Sequence, residues 1–128
     1  MKSVTVALTI SLWVPNAVIA DPATECQGSS QVEIGACVSE TLQRVDETID
    51  IYLGFAMSSA GELDEVTGRT VTVPALEAAQ AAWSSYRLAQ CDYIGATYGG
   101  GSGTGIAINS CKIELGRKRA EELMRYVQ

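Results

Sequence analysis

Four cysteines, Cys26, Cys37, Cys91 and Cys111, stand behind an apolar N-terminal segment in a chain of 128 residues that contains no histidine. An even cysteine count in an exported chain reads as two disulfides, formed in a periplasm or outside the cell. No Cys-x-x-Cys spacing accompanies them, which argues against a thiol redox centre. The missing histidine removes Ser-His-Asp and Cys-His catalytic pairs and Cys/His zinc sites. No catalytic residue, metal or cofactor is therefore assigned. The net charge of −6 argues against a nucleic-acid partner, which needs a basic footprint. With 47% hydrophobic and 19% charged residues, the chain has the composition of a folded domain.

The first 20 residues read as a secretory signal. Lys2 supplies a positive start, Val4 to Val14 an apolar stretch, and Pro15 and Asn16 a break before the small or tolerated Val18 and Ala20. The apolar stretch is too short for a bilayer, which takes roughly 20 residues. Cys26 lies six residues beyond Ala20, too far to carry a lipid anchor at the cleavage point. Cleavage after Ala20 leaves a single domain over 21–128, of 108 residues and net charge −7, with no stable membrane insertion. A core this small benefits from crosslinks.

Three helices account for most of the mature chain. In the first, about Gln31 to Ser58, residues Ile34, Val38, Leu42, Val45, Ile49, Tyr52 and Ala56 form one helical face. Ser30 and Glu33 have the spacing of a capping box at its start. Glu40, Arg44, Asp46, Glu47 and Asp50 make the other side, expected to be solvated. Residues 58–73 read as a break, with an acidic cluster (Glu62, Asp64, Glu65) between Gly61 and Gly68 and a short extended run at Thr70–Val73. Pro74 suits the first position of a second helix, about Ala75 to Asp92, with Leu76, Ala79, Gln80, Trp83, Tyr86 and Arg87 on one stripe. Six glycines between Gly95 and Gly105 exclude helix over 95–108. Asn109 or Ser110 then caps a third helix to about Tyr126, with Ile113, Ala120, Leu123 and Val127 inward and Gly116 unexplained. The fold class is all-α, a three-helix bundle made of an antiparallel hairpin plus a C-terminal helix, stapled by two disulfides.

Four cysteines allow three pairings, and spacing alone does not choose among them. An antiparallel hairpin brings Cys37, Cys91 and Cys111 to one pole, and the arm carrying Cys26 reaches it as well. On that geometry Cys26 is expected to pair with Cys91, and Cys37 with Cys111.

The run from Ala79 to Cys91, AQAAWSSYRLAQC, followed by Gly100-Gly101-Ser102, Cys111, Leu115, Arg119 and Leu123, resembles the LprI-type lysozyme-inhibitor domain family. Its pattern is Ala-Gln-x-x-Trp-x-x-(Tyr/Phe)-Arg-Asp-Ala-x-Cys, and the likeness covers nearly all of residues 26–125. Leu88 stands where relatives have aspartate, and Gly116 where they have threonine. The resemblance implies a periplasmic or extracellular helical domain whose partner is a protein, lysozyme for the namesake. It marks Gln80, Trp83, Tyr86, Arg87 and Arg119 as family-signature structural residues.

Two surfaces are candidates for contact. Residues 21–65 carry ten acids and one arginine, whereas residues 66–128 carry five acids and seven bases. Asp46, Glu47 and Asp50 on the acidic half would steer a basic partner such as an animal lysozyme, unless they are an ordinary solvated face. Tyr98, Gly100, Gly101 and Ser102 form a loop able to enter an enzyme cleft, the plainer reading being a connector. The loop lacks the Gly-Lys-Ser/Thr of a phosphate cradle. Trp83 and Arg87, four apart, can stack on one another, as a braced core pair rather than a sugar platform. Gln80 and Arg119 read as groups joining the second and third helices. Catalysis by a carboxylate pair such as Glu62 and Glu65 has no pocket signature behind it. The expected function is lysozyme inhibition by occluding the active-site cleft. The alternative is a structural or adaptor module of the cell envelope, with an envelope-glycan enzyme a distant third.

Overall fold

The computed structural model describes residues 21–127, so the predicted signal segment lies outside the described residues. These residues form four helices: α1 (Pro22–Glu25), α2 (Gln31–Thr67), α3 (Thr72–Ala96) and α4 (Thr104–Arg125). The expected all-α bundle with two disulfides is present, and α1 adds a single turn to it.

On α2 the predicted face is the one that packs. Val38, Ile49 and Ala56 are buried, and Ile34, Leu42, Val45 and Tyr52 are half-buried. The Ser30 hydroxyl accepts from the Glu33 N–H, while the Glu33 carboxylate accepts from the N–H and hydroxyl of Ser29 rather than from Ser30. The helix runs nine residues past its expected end at Ser58. Ala60 and Asp64, both buried, continue the row of Ala56 in steps of four, but in small and acidic residues that give no hydropathy signal. Gly61 costs about 1 kcal/mol against alanine and does not stop the helix. Gly68 does, with φ at 65°, where its N–H and that of Arg69 close the last turn.

The segment 70–73 is not extended. Asp64 reaches across the turn and accepts from the N–H groups of Val71, Thr72 and Val73 at 2.9–3.3 Å, so α3 starts at Thr72. Pro74 is the third residue of α3 instead of the first, still inside the turn whose N–H groups have no intrahelical acceptor. At the other end α3 continues to Ala96 and α4 begins at Thr104, which shrinks the expected glycine segment from 95–108 to 97–103. Asn109 is no cap; its side chain donates to the Ser39 hydroxyl on α2.

The helix α3 is antiparallel to both α2 and α4, which run parallel to each other. Gly95 meets Ile108 and Gln80 meets Arg119, while Gly35 faces Ile106 and Gly116 faces Val45 and Ile49. Two of these glycines are contact points. A Cβ at Gly95 would lie 2.6 Å from the Ile108 side chain, and one at Gly116 would lie 2.5 Å from Val45 and 3.0 Å from Arg87. Gly116 is therefore the place where α4 comes close to α2. The core on either side is thin: Ile49, Ala56, Ala120 and Leu123 form one cluster, and Cys26, Val38 and Ile113 the other.

The disulfides correct the expected pairing. Cys26 bonds Cys37, and Cys91 bonds Cys111. The cause is the shortness of both connections. The arm turns back at once through α1, whose Pro22 is fully buried and whose Glu25 is held by Arg117 of α4, and this sets Cys26 beside the start of α2. A loop of only 97–103 likewise leaves the end of α3 and the start of α4 as direct neighbours. All four cysteines do share one pole, but each bridge is local.

Candidate functional site

The segment between α3 and α4 is a chain of tight turns. Gly99 and Gly100 take φ of 61° and 79°, a region open to glycine at little cost. The N–H of Gly101 donates to the Tyr98 carbonyl, and both the N–H and hydroxyl of Thr104 to the Gly101 carbonyl. The Tyr98 ring lies against Gly103, where a Cβ would sit 3.7 Å from it. Tyr98, Gly100, Gly101 and Ser102 are all exposed, and the Cys91–Cys111 bridge closes the base of the hairpin that presents them.

Beside this loop lies an open cleft of about 470 Å³. Its floor is α4, with Ile106, Ser110 and Leu115; one wall is α3 and the loop, with Tyr86, Ile94 and Tyr98; the other is Ile34 and the arm at Asp21. Glu114 stands at its edge on α4, and Tyr86 and Tyr98 are each 54% exposed. The sequence does not reveal this cleft, because Ile106 fell in a segment read as loop and Tyr86 on a stripe read as packed. Only the antiparallel contact of α3 with α4 brings these residues together.

The acidic residues of α2 divide into different tasks. Asp46 is not the free surface acid expected of it: its carboxylate pairs with Arg87 at 2.7 Å. Glu47 accepts from Gln43, and Asp50 is exposed. Asp46 lies at the level of Lys112, eight residues and roughly 12 Å along α4 from its start. The loop and the acidic residues are thus separate patches.

The signature residues meet inside the bundle. Arg87 lies 5.1 Å from the centroid of the Trp83 ring, and Arg119 5.8 Å from it. Arg87 donates through Nε and Nη2 to the Lys112 carbonyl as well as to Asp46, so one guanidinium ties α3 to both α2 and α4. The Nε of Arg119 donates to Gln80 Oε1 at 3.0 Å, joining α4 to α3. Tyr86 departs from this group, since its ring faces the cleft. Leu88 is exposed and outside the network.

Asp64 is a site of another kind, inside a stretch whose glycines and acids predict a break between helices. Burial by itself would raise its carboxyl, but the N–H groups of Thr72 and Val73, the Thr72 hydroxyl and the Val71 N–H outweigh this and bring it down to about 2. Glu25 is held below its ordinary value by the hydrogen bond from Arg117.

A family model described as "Lysozyme inhibitor LprI" matches residues 23–123. An uncharacterized protein of Rhizobium meliloti (strain 1021) is 27% identical over 113 residues, covering 84% of this chain and 81% of that protein. No solved structure matches the chain.

Proposed function

The chain belongs to the LprI lysozyme-inhibitor family, and from that membership we propose that it binds a lysozyme and blocks the enzyme by placing the 98–102 loop in its active-site cleft. The carrying observation is the loop itself: exposed, set by two left-handed glycines and anchored at its base by Cys91–Cys111. A loop ordered before binding loses less conformational entropy on docking. Tyr98 offers an amphipathic ring, and Ser102 and the turn backbone offer hydrogen-bond donors to the carboxylates of a glycosidase. Glu47 and Asp50, with the rest of the acidic surface of α2, steer a basic enzyme toward the complex without being the plug. Two disulfides accord with an oxidising compartment such as a periplasm or the extracellular space.

Titration of the mature, oxidised protein into c-type, g-type and i-type lysozymes, with turnover and binding read separately, tests this. Inhibition of at least one type at micromolar protein, abolished by Tyr98→Ala with Ser102→Ala and slowed in onset by Glu47→Gln with Asp50→Asn, is the expected result. Absence of binding to all three types would overturn it and leave the envelope adaptor as the better reading.

A further inference from the structure

We propose that the cleft between α3, α4 and the N-terminal arm is a receptor for one arginine or lysine side chain of a protein partner, with Glu114 as its counter-charge. This deepens the protein-binding reading above and rests on it. The cleft has no basic residue in its lining, while Asp21 and Glu114 are acidic. Asp21 spends one carboxylate oxygen capping α1, and after the expected cleavage it would carry the chain's own ammonium group. Glu114 is the lining acid whose carboxylate makes no direct side-chain bond among the described residues. Arg117, three residues along α4, attracts Glu114 through space, but both of its terminal nitrogens bond the Glu25 carboxylate at 2.7 Å. Among the described residues Glu114 has no salt bridge.

The rest of the lining suits a long cationic side chain. Tyr86 and Tyr98 present exposed ring surface, which attracts a guanidinium or ammonium group through the ring quadrupole. Ile94, Ile106 and Leu115 offer aliphatic contact to the stem of such a side chain. Ser110, 7% exposed, lines the floor and its hydroxyl has no hydrogen-bond partner among the described residues. The volume exceeds that of one side chain and accommodates part of its neighbour as well. A neutral sugar would also stack on tyrosine but would leave Glu114 without a counter-charge.

The test is an NMR titration of the labelled, oxidised mature protein with three probes: acetyl-Leu-Arg-amide, its citrulline analogue, and the trimer of N-acetylglucosamine. The arginine peptide is expected to shift the amides of Ile94, Ile106 and Glu114, with citrulline weaker by about tenfold because the charge is gone. Glu114→Gln should bring the arginine peptide down to the citrulline level, and Tyr86→Ala should weaken both peptides. Unchanged amide shifts at Val38 and Ile113 establish that each variant is folded. Equal binding of the two peptides, binding of the sugar trimer in the cleft, or no cleft shifts at millimolar peptide would overturn the proposal. Peptide binding with no lysozyme inhibited would overturn the lysozyme reading alone, whereas inhibition with an unresponsive cleft would overturn this one alone.

Discussion

Toward one end of the bundle lie both disulfides, the 97–103 loop and the cleft, with the arm helix α1 reaching from there to Arg117 at mid-α4. At the other end, the α2–α3 hairpin is closed by one carboxylate, Asp64, and one left-handed glycine, Gly68. The first end shows covalent bonds where the chain needs exposed, glycine-rich loop geometry. The second uses hydrogen bonds alone, leaves Leu63, Val66 and Val71 exposed, and has no loop longer than the turn itself. Crosslinks are thus concentrated where local backbone preference for helix is weakest. Gly116, at the waist, is where α4 approaches α2 closely enough for Arg87 to bind across both.

Removing the bridges should have the largest effect. Each closes a short ring, spanning 11 and 20 residues of separation, and constrains the unfolded chain by about 3 kcal/mol. Urea unfolding with and without reductant should show most of the stability lost, since domains of this size have only about 5–15 kcal/mol. Native-state hydrogen exchange on the partly reduced protein would sharpen the contrast. Amides of 97–103 and α1 should lose protection before those of 64–73, and loss in the reverse order would break it.

Gly116→Ala should cost about 1–3 kcal/mol, because the added methyl has to displace Val45, Arg87 or Ile49. Its effect should reach both ends, in contrast to a change at either one. A variant as stable as the parent in urea would show that α4 can move away without loss.

At the uncrosslinked end, Asp64→Ala should lower Tm by several degrees and expose the amides of Val71, Thr72 and Val73 to exchange. The pH dependence has a definite sign. The folded carboxyl is depressed from 3.8 to about 2, so the stabilisation is present above about pH 4 and is lost as pH falls through 2. The difference between parent and variant should therefore narrow as pH falls from about 4 to about 2, and a constant difference from pH 7 to pH 2 would contradict the role given to Asp64.

The smallest effect is expected from Arg117→Ala. Its pair with Glu25 is partly exposed, and such pairs contribute less than about 1 kcal/mol. The change should loosen α1 in hydrogen exchange while leaving the urea midpoint nearly unmoved. A large shift in the midpoint would mean that α1 belongs to the cooperative core.

Periodicity alone was sufficient for the buried faces of α2 and α4, because Ile, Val and Leu recur there at helical spacing. It failed where the same rows continue in other residue types. Ala60 and Asp64 extend α2 without hydropathy, and Gly95 lies buried inside α3 although its residue type suggests a break. The loop residues 98–102 were identified from glycine content, whereas the cleft was not. Its lining comes from α2, α3, α4 and the arm, and no single stretch of sequence carries its pattern.

The sequence by itself determined the helical class, the packing stripes, the acidic first half and the presence of two crosslinks, since each is a local or compositional property. Only the tertiary structure decided which cysteines join, that Gly116 is where α4 comes closest to α2, that Asp64 caps α3, and that Asp46 belongs to Arg87. Those are matters of which surfaces approach within a few ångströms, and that distance is set by the antiparallel docking of α3 on the parallel pair α2 and α4.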